Sequence, residues 1–196
     1  MEFMDSMAIG KRMRVLAPLL FAFILSGCLS IQRRQEERII GGDSVSAAQM
    51  ERFVLRHNPN VDHSYLRRLI ALYQEECHAE GVRTSVAFCQ MCLETGFLTF
   101  QGMQAIEQNN FCGYGATGGR IVGDKFPSMR AGVRVHVQHL KAYGTAEPTR
   151  RMCVDGRRRF VALGSAPLVN DLTGHWATDP DYGTKLCTLL SVLRSE

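Results

Sequence analysis

The sequence predicts a mainly α-helical domain with a smaller, glycine-rich loop lobe, and three observations carry that expectation. Apolar residues recur at helical spacing in several segments after residue 45, each bracketed by capping and stop residues. One further segment, around Cys89, is apolar on every side and so belongs at the centre of a bundle. Between residues 96 and 127 the chain is rich in Gly, Asn and Gln and has little periodicity. With 45% hydrophobic and 21% charged residues, the 196-residue chain has the composition for one ordinary core plus a leader.

Taken in order, Ser46 caps a first helix that carries Met50, Phe53 and Val54 on one face and ends near Asn58-Pro59. Asp62 caps the second, where Leu66, Leu69, Ile70, Tyr73 and Cys77 form one stripe closed by Gly81. A third starts at Thr84 or Ser85, and its apolar residues surround only Gln90. The loop that follows has room for a short hairpin over Gly118-Gly119 and Gly123-Asp124. In residues 128–143, Val133, Val135 and Val137 alternate as in a strand. Helix is the favoured reading, because Ser128 caps, Val133, Val137 and Leu140 share a helical face, and Gly144 stops. For the last helix Asp179 is the cap, Pro180 sits in the first turn, and Leu186, Leu189, Leu190 and Leu193 repeat at helical spacing.

The N-terminus reads differently. Lys11, Arg12 and Arg14 precede an apolar run from Val15 to Leu25, too short to span a bilayer and suited to a secretory signal. It ends in Leu25-Ser26-Gly27-Cys28, which resembles a bacterial lipobox, with Cys28 as the lipidated first residue of the mature chain. Residues 1–27 are thus the expected signal peptide, 28–45 a polar tether and 46–196 the domain. A chain starting at Cys28 has a net charge of +3, which suits an anionic wall polymer and does not argue for nucleic acid. The clusters Arg150-Arg151 and Arg157-Arg158-Arg159 are expected as a solvated loop or a contact to wall anions. Six cysteines follow Cys28, and in an exported chain an even number invites disulfides. Cys89-Gln90-Met91-Cys92 has the spacing of a redox pair or half a zinc site, but lies in an apolar helix without a partner motif. Buried inert thiols, a disulfide and metal or redox chemistry all remain open for it.

The most informative residue is Glu94. It ends the apolar helix, where burial disfavours the charged carboxylate and raises its pKa. A protonated carboxyl at a cleft wall is what protonating a glycosidic oxygen requires; a helix-end salt bridge is the plain alternative. The run Cys89-Gln90-Met91-Cys92-Leu93-Glu94-Thr95-Gly96 resembles the acid-bearing helix of bacterial glucosaminidase domains. Asn109-Asn110-Phe111-Cys112-Gly113 is similar to a loop of that family. Then come Phe126-Pro127 with Gly132-Val133-Arg134, Gln138-His139-Leu140-Lys141-Ala142-Tyr143, and Trp176-Ala177-Thr178-Asp179-Pro180-Asp181-Tyr182. These blocks stand in family order across roughly residues 46–193.

The resemblance implies a lysozyme-like fold, with a helical lobe and a smaller loop or β lobe about a cleft, and hydrolysis of the peptidoglycan strand at N-acetylglucosaminyl bonds. It makes Glu94 the general acid. Tyr182 is either an aid to the N-acetyl group or anomeric charge, or core packing below Leu186. Phe111 and Trp176 offer flat faces to sugar rings, with interior packing as the alternative. Asn110 and Asp179 complete the substrate side, although Asn110 is expected to pin the loop and Asp179 to cap a helix. The second carboxylate is Asp124, preferred over Glu107, unless the substrate's own acetamido group replaces it. No metal or organic cofactor is called for, and a monomer is expected. A lytic transglycosylase and a non-catalytic wall-binding lipoprotein are the rival readings.

Overall fold

The structure, a computed structural model, describes residues 37–43, 45–100, 106–116 and 123–196. The apolar run Val15–Leu25, Cys28 and the Gly118-Gly119 half of the expected hairpin lie outside these residues. Among the described residues the fold is mainly helical, with isolated β-bridges only. The smaller lobe is loop with one short 3-10 turn, Ile106–Gln108, and shows no strand among its described residues.

Helix α1 (Ala47–His57) opens with a capping box: Ser46 Oγ accepts the Gln49 N–H at 3.2 Å, and Gln49 Oε1 accepts the Ser46 N–H at 3.0 Å. In α2 (His63–Glu80) the Asp62 carboxylate accepts the Tyr65 N–H at 2.6 Å, and Gly81 stops the helix at φ 75°. The third helix, α3 (Thr84–Thr95), has no cap from its own flank. Asp43 supplies one instead, its Oδ2 accepting the Ser85 N–H at 2.7 Å. Helix α4 (Met129–Gly144) starts on Ser128, as its capping signal indicates. Its alternating valines, Val133, Val135 and Val137, are all buried, because α4 is enclosed on more than one side.

Helix α3 packs against α2, α4 and α5 (Tyr182–Ser195), and α1 closes over α2 and α5. Its run from Ser85 to Cys92 is buried throughout, so the segment that is apolar all round does sit at the centre. Phe53, Leu69, Tyr73, Phe88, Met91, Leu140 and Leu186 are among the residues fully withdrawn from solvent in one core.

Two boundaries differ from expectation, and the arginine clusters differ in their contacts. The tether does not run to residue 45, because folded structure begins by Glu37. Ile39 is fully buried, its N–H donates to Pro167 O at 3.1 Å, and Glu37 pairs with Arg83 and Arg194. Two isoleucines between polar neighbours suffice to dock this segment. The last helix starts at Tyr182 and not at Pro180. Asp179 instead organises a turn ahead of it: its Oδ1 accepts the Asp181 N–H at 3.0 Å and its backbone carbonyl accepts the Tyr182 N–H at 3.1 Å. The arginine clusters are also engaged: Arg151 pairs with Glu76 at 3.1 Å, and Arg158 donates to Glu147 O at 2.8 Å.

One glycine positions the loop lobe. A Cβ at Gly132 would stand 1.7 Å from the Asn109 carbonyl oxygen, so α4 offers a flat notch into which the 109–111 segment sinks. Any larger residue would lift that segment off the bundle.

Candidate active site

Glu94 lies one residue before the end of α3, where Gly96 turns the chain at φ 57°. The helix holds its carboxyl against the start of α5 and the loop before it. Two donors converge on a single oxygen, Oε1: Tyr182 Oη at 2.5 Å and Trp176 Nε1 at 3.1 Å. Both donors are neutral. Burial pushes the Glu94 carboxyl above the ordinary glutamate range, and the bonds from Tyr182 and Trp176 offset part of that rise. The Tyr182 phenol is raised too, by burial first and by the adjacent Glu94 next. The result is a carboxyl that holds its proton at higher pH than an exposed glutamate does.

Behind this pair runs a line of polar side chains inside an otherwise apolar core. Gln90 Nε2 donates to Tyr182 Oη at 3.0 Å, Gln90 Oε1 meets His136 Nε2 at 3.0 Å, and His136 Nδ1 meets Tyr73 Oη at 2.8 Å. Gln90, His136 and Tyr73 are fully buried. Burial lowers the His136 pKa to about 3, so the ring is neutral. The sequence offered only one signal for this line, Gln90 as the one polar residue in the apolar run from Val86 to Leu93.

A cleft of about 180 Å³ is lined by Trp176 together with Tyr114, Gly115, His139, Tyr143 and Arg157. Trp176 is half-buried, with its ring 5.3 Å from that of His139 and 5.6 Å from that of Tyr143. His139 Nδ1 donates to Asp155 Oδ2 at 2.9 Å, and Tyr114 Oη donates to Asp155 Oδ1 at 2.6 Å. Burial would raise the Asp155 pKa, but the bonds from His139 and Tyr114 bring it below the usual carboxylate range. Sequence reasoning did not find this group, whose members lie far apart along the chain.

The remaining expected site residues divide. Asn110 is buried with its amide spent on backbone: Nδ2 donates to Tyr114 O at 2.8 Å and Asp124 O at 2.9 Å, and Oδ1 accepts from Tyr114 N at 2.9 Å. It pins the loop and has no face left for a sugar. Phe111 is fully buried, edge-on to Tyr73, so it is core and not a sugar platform. Asp179 ion-pairs with Lys185 and orders the turn before α5. Asp124 is half-exposed beside Gly115 and lies 3.8 Å from Arg157, at the rim of the cleft and without a bond to Glu94. Glu107 is exposed. Tyr182 is neither idle packing nor free for substrate, since its one proton is given to Glu94.

The cysteines after residue 37 are unpaired: Cys77, Cys89, Cys92 and Cys112 are buried, Cys187 is partly buried and Cys153 is exposed. Burial raises the thiol pKa values of Cys89 and Cys92, as for inert core thiols.

Comparison with known proteins agrees with the helical frame. Residues 70–194 match the family model described as mannosyl-glycoprotein endo-beta-N-acetylglucosaminidase, glucosaminidase for short. A Borreliella burgdorferi protein of uncharacterized function is 38% identical over 152 residues, covering 78% of this chain and 74% of its own.

Proposed function

The chain belongs to the mannosyl-glycoprotein endo-beta-N-acetylglucosaminidase family, and from that premise we propose that it hydrolyses N-acetylglucosaminyl bonds within peptidoglycan strands, with Glu94 as the general acid. The observation that carries this reading is the desolvated carboxyl of Glu94, held by two neutral donors on one oxygen. Such a group enters the reaction protonated and gives its proton to the leaving glycosidic oxygen. As the proton departs, Tyr182 and Trp176 already point at the charge that forms. Trp176 also presents its ring to the cleft, where a sugar can stack.

The second half of the reaction needs a nucleophile or a base. Two-carboxylate hydrolysis places the pair about 5–5.5 Å apart for retention or roughly 6.5–9.5 Å for inversion. Asp124 stands at the rim beside Arg157 and makes no bond to the Glu94 group. The substrate-assisted route needs no second carboxylate: the acetamido group of the substrate serves as the internal nucleophile, and the product retains its anomeric configuration. An inverted product in a timed NMR assay would return the role to Asp124 as base.

On the same reading Cys28 bears the lipid that holds the protein at a bacterial membrane, with the domain facing the wall and acting as a monomer. Several acyl chains at about 0.8 kcal/mol per buried CH₂ anchor stably. Release of Cys28→Ser from membranes is the expected result, and persistent binding would remove the anchor.

The deciding experiment is mass spectrometry of purified peptidoglycan digested by the soluble domain and by Glu94→Gln. Reducing N-acetylglucosamine ends from the wild type alone support the hydrolase and its acid. Anhydro-muramic ends would make it a lytic transglycosylase. Wall binding without product would make it a binding protein.

A further inference from the structure

One arrangement of protons spends every donor in the line of polar side chains behind Glu94. Trp176 Nε1 can only donate, and it donates to Oε1 of Glu94; the same oxygen takes Tyr182 Oη at 2.5 Å. In this arrangement Oε1 is the accepting oxygen, and the Tyr182 proton is committed to it. With that proton spent, Tyr182 Oη must accept from Gln90, so the Gln90 amide nitrogen faces Tyr182 and its oxygen faces His136. His136 must then carry its one proton on Nε2, which leaves Nδ1 to accept from Tyr73 Oη at 2.8 Å. Every bond runs the same way, from Tyr73 on α2 through α4 and α3 to Tyr182 on α5 and on to Glu94. The other carboxyl oxygen, Oε2, makes no hydrogen bond to a described residue, and Glu94 is partly exposed.

We propose that Gln90, His136 and Tyr73 are positioning residues that lock Tyr182 as a donor to Oε1, so that the acid's proton resides on Oε2 and is delivered from that oxygen. The inference rests on Glu94 as the acid. It adds a direction of delivery and three residues that touch no substrate. Neutral amide, imidazole and phenol groups serve here because no charge in the line can reverse it. Burial keeps His136 neutral, with its pKa lowered to about 3. Around these groups the titratable neighbours are Tyr65 and Cys77 on α2, Cys92 and Glu94 on α3, His139 on α4, Cys112 from the loop and Tyr182 from α5.

Two measurements test it. Nitrogen-15 NMR of the imidazoles in the wild-type protein should show His136 as the neutral Nε2–H tautomer throughout about pH 5–8, where an ordinary histidine titrates. An Nδ1–H tautomer, or titration in that range, overturns the proposal. This readout needs no turnover, so it stands or falls separately from the glucosaminidase reading. The second is Tyr73→Phe, which removes the head of the line far from the cleft. His136 can then change tautomer, Gln90 can turn its amide, and Tyr182 no longer donates to Glu94 alone. The charged form of Glu94 loses support, so kcat should fall about 10-fold, the equivalent of one charge-assisted bond. The alkaline limb of the kcat/KM profile should move to higher pH, while KM stays. A folded Tyr73→Phe with an unmoved limb overturns the proposal. If that variant does not fold, the tautomer decides.

Discussion

Glu80 and Glu94 occupy the same kind of place, each in the last turn of a helix stopped by a left-handed glycine, Gly81 for one and Gly96 for the other. Their surroundings differ in kind. Glu80 is fully buried and accepts four bonds: Oε2 takes Lys141 Nζ at 3.0 Å and Arg150 N at 2.8 Å, and Oε1 takes Gln138 Nε2 at 3.0 Å and Arg151 N at 3.2 Å. Burial alone would raise its pKa, but those four bonds more than reverse it and hold the carboxyl below the usual range. Glu94 has burial with two neutral donors on one oxygen, and its pKa goes up. Neither helix position nor burial decides the charge of a glutamate. The number and charge of its donors do. One carboxylate is held ionised and ties residues 150–151 to the bundle, and the other keeps its proton to higher pH.

The comparison is sharpest where each residue is neutralised. Glu94→Gln should lower the release of reducing ends by about 10²- to 10⁴-fold, the usual contribution of a general acid, with an unfolding midpoint no lower than that of the wild type. Glu80→Gln should do the reverse, since it strands Lys141 as a buried, unpaired cation. A loss of about 3–5 kcal/mol in urea unfolding is expected. Equal stability losses in the two variants would erase the distinction.

Smaller effects appear in the pH dependence of stability. Glu80 has a folded pKa below the ordinary 4.5, so its contribution is present above 4.5 and lost as the pH falls through the folded value. Glu94 has a folded pKa above 4.5, so its contribution is present below 4.5 and lost as the pH rises through the folded value. Urea midpoints measured from acid to neutral pH should therefore show Glu80→Gln approaching the wild type on acidification. Glu94→Gln should gain on the wild type as the pH rises from 4.5 to the folded value, by about 1.4 kcal/mol per pH unit. Parallel profiles would break the comparison. The smallest effect is at Asp124, half-exposed and 3.8 Å from Arg157. Asp124→Asn should cost less than about 1 kcal/mol of stability and, on the substrate-assisted route, leave product release within a few-fold of the wild type.

How much of this was legible beforehand follows the range of the interactions. Caps and stops act over three or four residues, so Ser46, Asp62, Gly81 and Ser128 mark their helices plainly. The start of α5 did not follow its strongest signal, because the Asp179 carboxylate closes a turn onto Asp181 instead of capping at Pro180. Glu94 stood out as an acid on an apolar helix, and Trp176 and Tyr182 by their block. Their mutual bonds did not show, nor did the partners of Gln90, which lie 46 and 92 residues away. His136 is one polar ring among valines, with nothing local to mark it. Phe111 failed as a sugar platform because an aromatic ring beside a loop asparagine reads the same whether it faces a cleft or a core.

Trp176 is the sole tryptophan of the chain, and its indole N–H rests on the acid. The protein's fluorophore and the proposed proton donor are thus wired together. When Glu94 ionises, a negative charge settles beside the pyrrole end of the ring, the end that gives up electron density on excitation. Emission then shifts to the red as the acid empties and back to the blue as it refills. The intact, unlabelled molecule carries an optical gauge of the Glu94 proton.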